Sequence, residues 1–285
     1  MKSVGIVVNA KKDKDLTLTQ KIVGFLHSCG AKILLSDAFR NSNIKDADYV
    51  SENDLISESD FIVTVGGDGT ILSIAEAVSQ NRIPVVGINL GRMGFMAELE
   101  PEEISLLDKI VSDDYTLDKR MMIDVCVTRN GEEVCCYRAL NDIVVSNGSI
   151  SKMAELELYC QGTYVSLFHS DGLIVSTPTG STAYSLSAGG AIIDPTINCL
   201  LLTPVCPHSF YNARPIIFSP KSVLEIKDIQ QNDDNTYLTI DGKTNVKLMY
   251  SDIVKVKASN NTVDLIKIKD NGFYDRVYQK ISERK

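Results

Sequence analysis

Glycine and aspartate interrupt an apolar strand at Val63-Thr64-Val65-Gly66-Gly67-Asp68-Gly69-Thr70. Glycines let a ligand approach the backbone closely, and a helix that starts directly after them presents unpartnered N–H groups to an anion. Gly66, Gly67 and Thr70 are therefore candidates to cradle phosphate, and Asp68 in their midst can accept a proton from a sugar hydroxyl. The competing reading of Asp68 is a helix cap in a tight turn. A second glycine-rich stretch, Asn89 to Phe95, carries Arg92, which either pairs with phosphate or is a solvated residue of a plain connection. The P-loop pattern G-x-x-x-x-G-K-S/T and the dinucleotide pattern G-x-G-x-x-G are both missing.

The longest chemical segment is Ser170-Asp171-Gly172 through Thr177-Pro178-Thr179-Gly180-Ser181-Thr182-Ala183-Tyr184, continuing to Ser187-Ala188-Gly189-Gly190. A strand there runs into many hydroxyls and glycines, so donors and acceptors crowd onto a backbone of restricted shape. Tyr184 can stack on a base. Asn141-Asp142 places an amide beside a carboxylate, a natural clamp for ribose hydroxyls, which both donate and accept, or else an ordinary loop pair. His27, His169 and His208 have no partner at metal-ligand spacing. His208, in Cys206-Pro207-His208-Ser209, is expected to fix a turn.

The elements that must position these residues fall into two kinds. From Val4 to about Asp118, strand-like runs (Val4 to Val8, Ile33 to Leu35, Phe61 to Val65, Ile83 to Ile88) alternate with helical ones (Leu18 to Cys29, Ile71 to Val78, Pro101 to Val111). That rhythm predicts a parallel sheet covered by helices, with ligands beyond the strands' carboxyl ends. After Asp118, short strands dominate, with hairpin turns at Asn130-Gly131 and Gln161-Gly162, which predicts mainly antiparallel β structure. Separate strands are expected at Ile253 to Ala258 and Val263 to Ile268. A last helix, Phe273 to Ile281, sets Phe273, Tyr274, Val277, Tyr278 and Ile281 on one face. The expected units are 1–118, joined by the helix at about 270–285, and 119–269.

Composition narrows the partners. The 285 residues carry a net charge of −8 with no run of Lys or Arg, so nucleic acid is a poor partner. No stretch reaches the ~20 apolar residues of a membrane helix, and no membrane partner is expected. The seven cysteines show no CxxC spacing and are read as reduced, mostly buried thiols of a cytoplasmic protein.

Together these segments resemble the NAD kinase family. Gly66-Gly67-Asp68-Gly69 is shared with a wider superfamily of diacylglycerol, sphingosine and 6-phosphofructokinases. The block Asp171 to Tyr184, in one chain with Asn141-Asp142 and Cys206-Pro207-His208-Ser209, is more specific. The resemblance runs from the first strand to about Asp241-Gly242. It implies an N-terminal α/β domain and a C-terminal β-rich domain, with the dinucleotide bound between them. It implies transfer of the γ-phosphoryl of ATP to the adenosine-ribose 2′-hydroxyl of NAD, with Mg²⁺ on ATP and no protein metal ligand. Asp68 is then the general base, and Asp68, Gly69, Asn141, Asp142, Asp171, Thr182, Ala183, Tyr184 and Ser187 bind NAD. Gly66, Gly67, Thr70 and Arg92 form the phosphate loop, and a homodimer or homotetramer is usual. The chain differs from many members in having Asp142 for glutamate, His169 for arginine, Lys243 after Asp-Gly, and no proline in Asn9-Ala10-Lys11-Lys12. A lipid or sugar kinase would share Asp68 but not need the 171–184 block. A dinucleotide sensor would not need Asp68, and the missing fingerprint disfavours a dehydrogenase.

Overall fold

Short apolar runs, buried on both sides, build the first sheet, as parallel strands covered by helices require. A computed structural model describes residues 1–42, 44–91, 94–148, 152–208, 214–230, 235–269 and 272–282. The backbone divides into one unit of Met1–Lys119 with Val263–Lys285 and another of Arg120–Thr262. The first contains β1 (Ser3–Val8), α1 (Thr17–Ser28), β2 (Lys32–Ser36), β3 (Asp48–Val50), α2 (Glu52–Ser57), β4 (Phe61–Gly66), α3 (Asp68–Asn81), β5 (Val85–Asn89) and α4 (Leu107–Val111). These strands lie in the order β5-β4-β1-β2-β3, every neighbour parallel. The order reverses between β1 and β4, so Asn9 and Gly66 stand at the switch point where open α/β sheets take ligands. The N–H of Asn9 donates to the Val65 carbonyl at 2.9 Å, extending β1 to that point.

Local signals explain most helix ends. Leu18, Ile22 and Leu26 of α1 are buried, and Gly30 behind it takes φ +81° while its N–H donates to the His27 carbonyl at 2.9 Å. The expected single helix from Pro101 to Val111 is instead a 3₁₀ turn, Pro101–Leu106, followed by α4. The carboxylate of Glu103 accepts the Glu100 N–H at 2.8 Å, fixing the tight start.

The second unit is mainly antiparallel. It holds β6 (Thr116–Arg129), β7 (Glu132–Ala139), β8 (Asp142–Asn147), β9 (Ala154–Cys160), β10 (Thr163–Ser170), β11 (Gly172–Ser176), α5 (Tyr184–Ser187), β12 (Leu200–Val205), β13 (Ile216–Phe218), β14 (Val223–Asp228), β15 (Thr236–Ile240), β16 (Thr244–Lys247) and the start of β17 (Asp252–Lys267). One sheet runs β10-β9-β14-β17 with β6 and β7 beyond; the other runs β13-β12-β11-β8-β15-β16. Leu156, Leu158, Phe168 and Val256 of the first meet Val145, Leu173, Val175 and Leu202 of the second in one core. Positive φ at Asn130 and Gly131, and at Gln161 and Gly162, gives both expected hairpin turns their twist. β17 is one strand where two were expected, and its end pairs in parallel with β5 through Leu265 and Val85.

Two expectations need correction. Cys126 and Cys136 form a disulfide, because the register of β6 and β7 sets them directly opposite each other with Cα atoms 4.1 Å apart. Of the five free cysteines only Cys199 is buried. On α6 (Phe273–Ser282) the expected face is split: Phe273 is half-buried with its ring 6.2 Å from that of Phe95, while Tyr274 and Tyr278 are exposed by 65% and 75%. The buried residue there is Arg276; the side chain of Ile281 lies outside the described residues. Among the described residues no helix is long and apolar enough to cross a membrane.

Arg276 explains why α6 docks. Its Nη1 donates to the carbonyls of Phe95 at 3.1 Å and Ala97 at 3.0 Å, and its Nη2 to Glu98 Oε2 at 2.6 Å. Glu98 also accepts from Lys267 Nζ at 2.8 Å and from the N–H groups of Ile268 and Lys269 at 3.0 and 2.9 Å. Burial pushes the Glu98 pKa up, but the charge and hydrogen bond of Lys267 and these N–H groups outweigh it and leave it lowered. The stability this carboxylate supplies is present above the ordinary carboxylate range and is lost as pH falls through its depressed pKa. Glu98→Gln is expected to cost about 3–5 kcal/mol in urea denaturation at pH 7, because it strands the buried Arg276. The deficit should shrink towards acid pH.

Candidate active site

The Gly66-Gly67-Asp68-Gly69 loop leaves β4 and opens α3. Gly67 is the N-cap, at φ +147°, and no side chain caps the helix. The cap reading of Asp68 therefore fails. Its carboxylate instead reaches across to the turn after β5, where Oδ2 accepts the Phe95 N–H at 2.7 Å and Oδ1 accepts those of Met96 and Ala97 at 3.1 and 3.2 Å. A Cβ on Gly94 would lie 2.5 Å from Asp68 Cγ, so only glycine admits this approach. Thr70 is buried with its hydroxyl unpartnered, while a Cβ on Gly69 would meet nothing within 4 Å. Lys12 Nζ donates to the Gly66 carbonyl at 2.8 Å, and the Asn89 amide donates to the Gly91 carbonyl at 3.2 Å and to both Glu100 oxygens at 3.3 Å. A cavity of about 400 Å³ lies beside the carboxyl ends of β1 and β2, walled by Val8, Ser36, Phe39, Ser73 and Ala77 among others, and includes none of the expected site residues.

The second unit assembles its own cluster. Asn141 and Asp142 open β8, and β11 runs antiparallel to it with Ser176 opposite Asp142. Beyond β11, the Thr177 N–H donates to the Asn141 carbonyl at 2.9 Å, its hydroxyl donates to the Leu140 carbonyl at 2.6 Å, and the Gly180 N–H donates to that hydroxyl at 3.1 Å. A Cβ on Gly180 would come 2.8 Å from Asn141 Cα, so the close crossing of these strands requires glycine. Asp241, in the β15–β16 turn, accepts the N–H groups of Leu140, Asn141 and Asp142 at 2.9, 2.8 and 3.1 Å. A cavity of about 340 Å³ results, lined by Asn141, Asp142, Ala183, Tyr184, Asp241 and Gly242 among others.

Of the expected residues, the fold thus gathers Gly66, Gly67, Asp68, Gly69 and Thr70 on one loop, and Asn141, Asp142, Ala183 and Tyr184 around one cavity. Thr182 turns its hydroxyl to the Thr179 carbonyl at 3.0 Å, and Asp171 and Ser187 are exposed; none of the three lines that cavity. Arg92 and Ser209 lie outside the described residues. Lys12, Asn89 and Asp241 carried no site expectation. For Asp241 the signal was Asp-Gly between two strands, which marks a hairpin turn but says nothing of what the carboxylate holds.

Asp142 stands apart electrostatically. Burial, and then the neighbouring Asp241, push its carboxyl up to about 7. Asp241 is raised by burial too, against the N–H groups of Leu140, Asp142 and Asn141 and the charge of Lys243. A raised carboxyl binds its proton more tightly folded than unfolded. Its contribution to stability is therefore full below the unfolded value of 3.8 and is lost as pH rises through about 7. Asp142→Asn keeps the neutral shape without the charge. Relative to wild type, it should gain roughly 2–4 kcal/mol in denaturant melts between pH 4 and pH 8.

Comparison with known proteins agrees with this layout. The ATP-NAD kinase N-terminal domain family matches residues 4–115 and the ATP-NAD kinase C-terminal domain family residues 140–268. The chain is 41% identical over 285 residues to the NAD kinase of Thermoanaerobacter sp. (strain X514), covering 100% of both. It is 33% identical to that of Acetivibrio thermocellus, covering 100% of this chain and 98% of that one. An NAD kinase from Archaeoglobus fulgidus, solved in complex with ATP, superposes with a TM-score of 0.75 at 25% identity, covering 98% of each chain. Yeast NADH kinase, solved with NADH, shares the fold with a TM-score of 0.88 at 23% identity, over 99% of this chain and 88% of that one. The chain belongs to the NAD kinase family.

Proposed function

We propose that the chain transfers the γ-phosphoryl group of ATP to the 2′-hydroxyl of the adenosine ribose of NAD, giving NADP and ADP. The observation that carries the reading is Asp68, whose two oxygens are fixed by three backbone N–H groups at a glycine loop opening a helix. Phosphoryl transfer depends mainly on alignment and charge neutralisation. In this reading Asp68 orients the 2′-hydroxyl and takes its proton as the oxygen bonds to the γ-phosphorus and the bond to the β-phosphate oxygen breaks. Gly66, Gly67 and Thr70 face the phosphates, and Gly69 leaves the approach to Asp68 open. NAD is bound by Asn141 and Asp142 at the ribose and by Ala183 and Tyr184 at the base, with Asp171, Thr182 and Ser187 in outer contact.

Mg²⁺ enters with ATP, where it neutralises phosphate charge. It demands oxygen ligands and keeps several waters. Among the described residues, the group of His, Cys, Asp and Glu able to converge on one ion is Cys126, Glu133 and Cys136, which includes the disulfide and does not suit it. In this reading the ion's coordination comes mainly from phosphate oxygens and water. A cytoplasmic location and a homodimer or homotetramer follow the usage of the family.

The test is conversion of NAD to NADP with Mg-ATP, read by an NADP-specific dehydrogenase. EDTA in excess of metal should abolish it. Asp68→Asn should lower kcat by about 10²–10⁴-fold while retaining the folded circular dichroism spectrum. Arg276→Gln loosens the same turn but keeps the carboxylate, and should lose far less activity; equal losses would reduce Asp68 to a structural tie. Retained NAD binding without product would favour a sensor, and product with a lipid or sugar acceptor alone would favour another branch of the superfamily.

A further inference from the structure

We infer that Lys12, with Thr70 and Asn89, forms the seat of the transferring phosphoryl group, and that Lys12 is the protein cation that helps to neutralise its charge. The inference rests on the kinase reading and adds a charged side chain to the backbone donors of the loop. Lys12 is an exposed residue whose ammonium nonetheless folds back to donate to the Gly66 carbonyl at 2.8 Å. Its Nζ lies 3.0 Å from the point a Cβ would take on Gly67 and 3.6 Å from the corresponding point on Gly91. Both glycines have positive φ, +147° and +123°, so the ammonium occupies a hollow that side chains would otherwise fill.

Two buried polar atoms of these loops lack partners, Asn89 Oδ1 on that hollow and Thr70 Oγ1 beside the neighbouring Gly66. Asn89, 2% exposed, spends its amide N–H groups on Gly91 and Glu100, which leaves Oδ1 unpartnered at 3.5 Å from the same Gly67 point. Thr70, 5% exposed, has an unpartnered hydroxyl on the first turn of α3, beside Gly66. Buried polar atoms are rarely left so without a ligand or water to satisfy them. An ammonium has three N–H donors. One is used on Gly66, a second suits the Asn89 oxygen, and the third is left for a phosphate oxygen. The Thr70 hydroxyl donates to another oxygen, and the first turn of α3 adds N–H groups aimed at an anion. The ligand class is the terminal phosphate of a nucleoside or inorganic triphosphate.

Lys12 forms no bond and transfers no proton in this scheme. The 2′-oxygen gains the γ-phosphorus, the bridging electron pair leaves with ADP, and the proton goes to Asp68, while Lys12 holds a non-bridging oxygen throughout. The test uses Lys12→Gln and Lys12→Arg in the full chain, with ATP and NAD varied separately. Calorimetry of Mg-AMP-PNP, Mg-triphosphate and NAD accompanies the kinetics. The expected result for Lys12→Gln is a fall of roughly 10²-fold in kcat/KM for ATP. It should also bind AMP-PNP and triphosphate more weakly, with the NAD dissociation constant unchanged and much of the loss recovered in Lys12→Arg. Unchanged ATP kinetics and triphosphate affinity in Lys12→Gln, or equal losses towards ATP and NAD, would overturn it. Should wild type form no NADP, the kinase reading fails by itself, and the triphosphate affinities still decide whether Lys12 builds an anion seat.

Discussion

A carboxylate that collects consecutive backbone N–H groups fixes a turn more firmly than any single hydrogen bond, because each charge-assisted bond also sets the direction of the next. Asp68 does this to residues 95–97, and the last helix of the first unit docks on the result. The turn's N–H groups point to Asp68, while the carbonyls of Phe95 and Ala97 point to Arg276. One short stretch of backbone is thus held between an anion at the start of α3 and a cation on the last helix. Glu98, next along, draws Arg276 and Lys267 together and makes the arrangement self-consistent in charge. Phe95, with its ring against Phe273 and beneath Lys280, closes the apolar side.

The second unit repeats the device with a different electrostatic outcome. Asp241 gathers the N–H groups of residues 140–142 as Asp68 gathers those of 95–97. Here, however, the last donor in the series carries a carboxylate of its own. Asp241 takes the N–H groups and the charge of Lys243, and Asp142 is left buried beside it. Two adjacent carboxyls in a dry site share a proton more readily than either would alone, and the proton resides on the one with fewer donors. That places a group titrating near neutrality on the wall of the cavity that Tyr184 and Ala183 also line.

Local order was legible in the sequence and long-range pairing was not. Gly66-Gly67-Asp68 could be read as strand, turn and helix because β4 and α3 are adjacent in the chain. That Asp68 serves the turn near Phe95 could not be read, because its partners are backbone N–H groups, which any residue but proline supplies. Arg276 was hidden for a related reason: the aromatic residues around it gave a convincing apolar face, and its burial is justified by partners distant in sequence, the carbonyls of Phe95 and Ala97 and the carboxylate of Glu98. The disulfide shows how little separates a right register from a wrong one. The Asn130-Gly131 turn pairs Arg129 with Glu132 and Thr128 with Glu133, and continuing that count would set Cys126 opposite Cys135. An irregularity between Val127 and Thr128 shifts the ladder by one residue and brings Cys136 opposite instead.

The way Asp68 is held bears on the chemistry assigned to it. Three N–H bonds restrict where the carboxylate can point, so in the proposed reaction it would offer a substrate hydroxyl direction. Phosphoryl transfer suits such a group. Its transition state is loose, with little bond formation to the attacking oxygen and most of the charge on the transferring group, so alignment matters more than proton abstraction by a strong base. A mobile aspartate would have to be ordered at each turnover, whereas one tied by its fold to the turn at 95–97 meets that cost during folding. The same bonds that make Asp68 a structural tie therefore make it a suitable positioner of a hydroxyl, and the two roles reinforce each other.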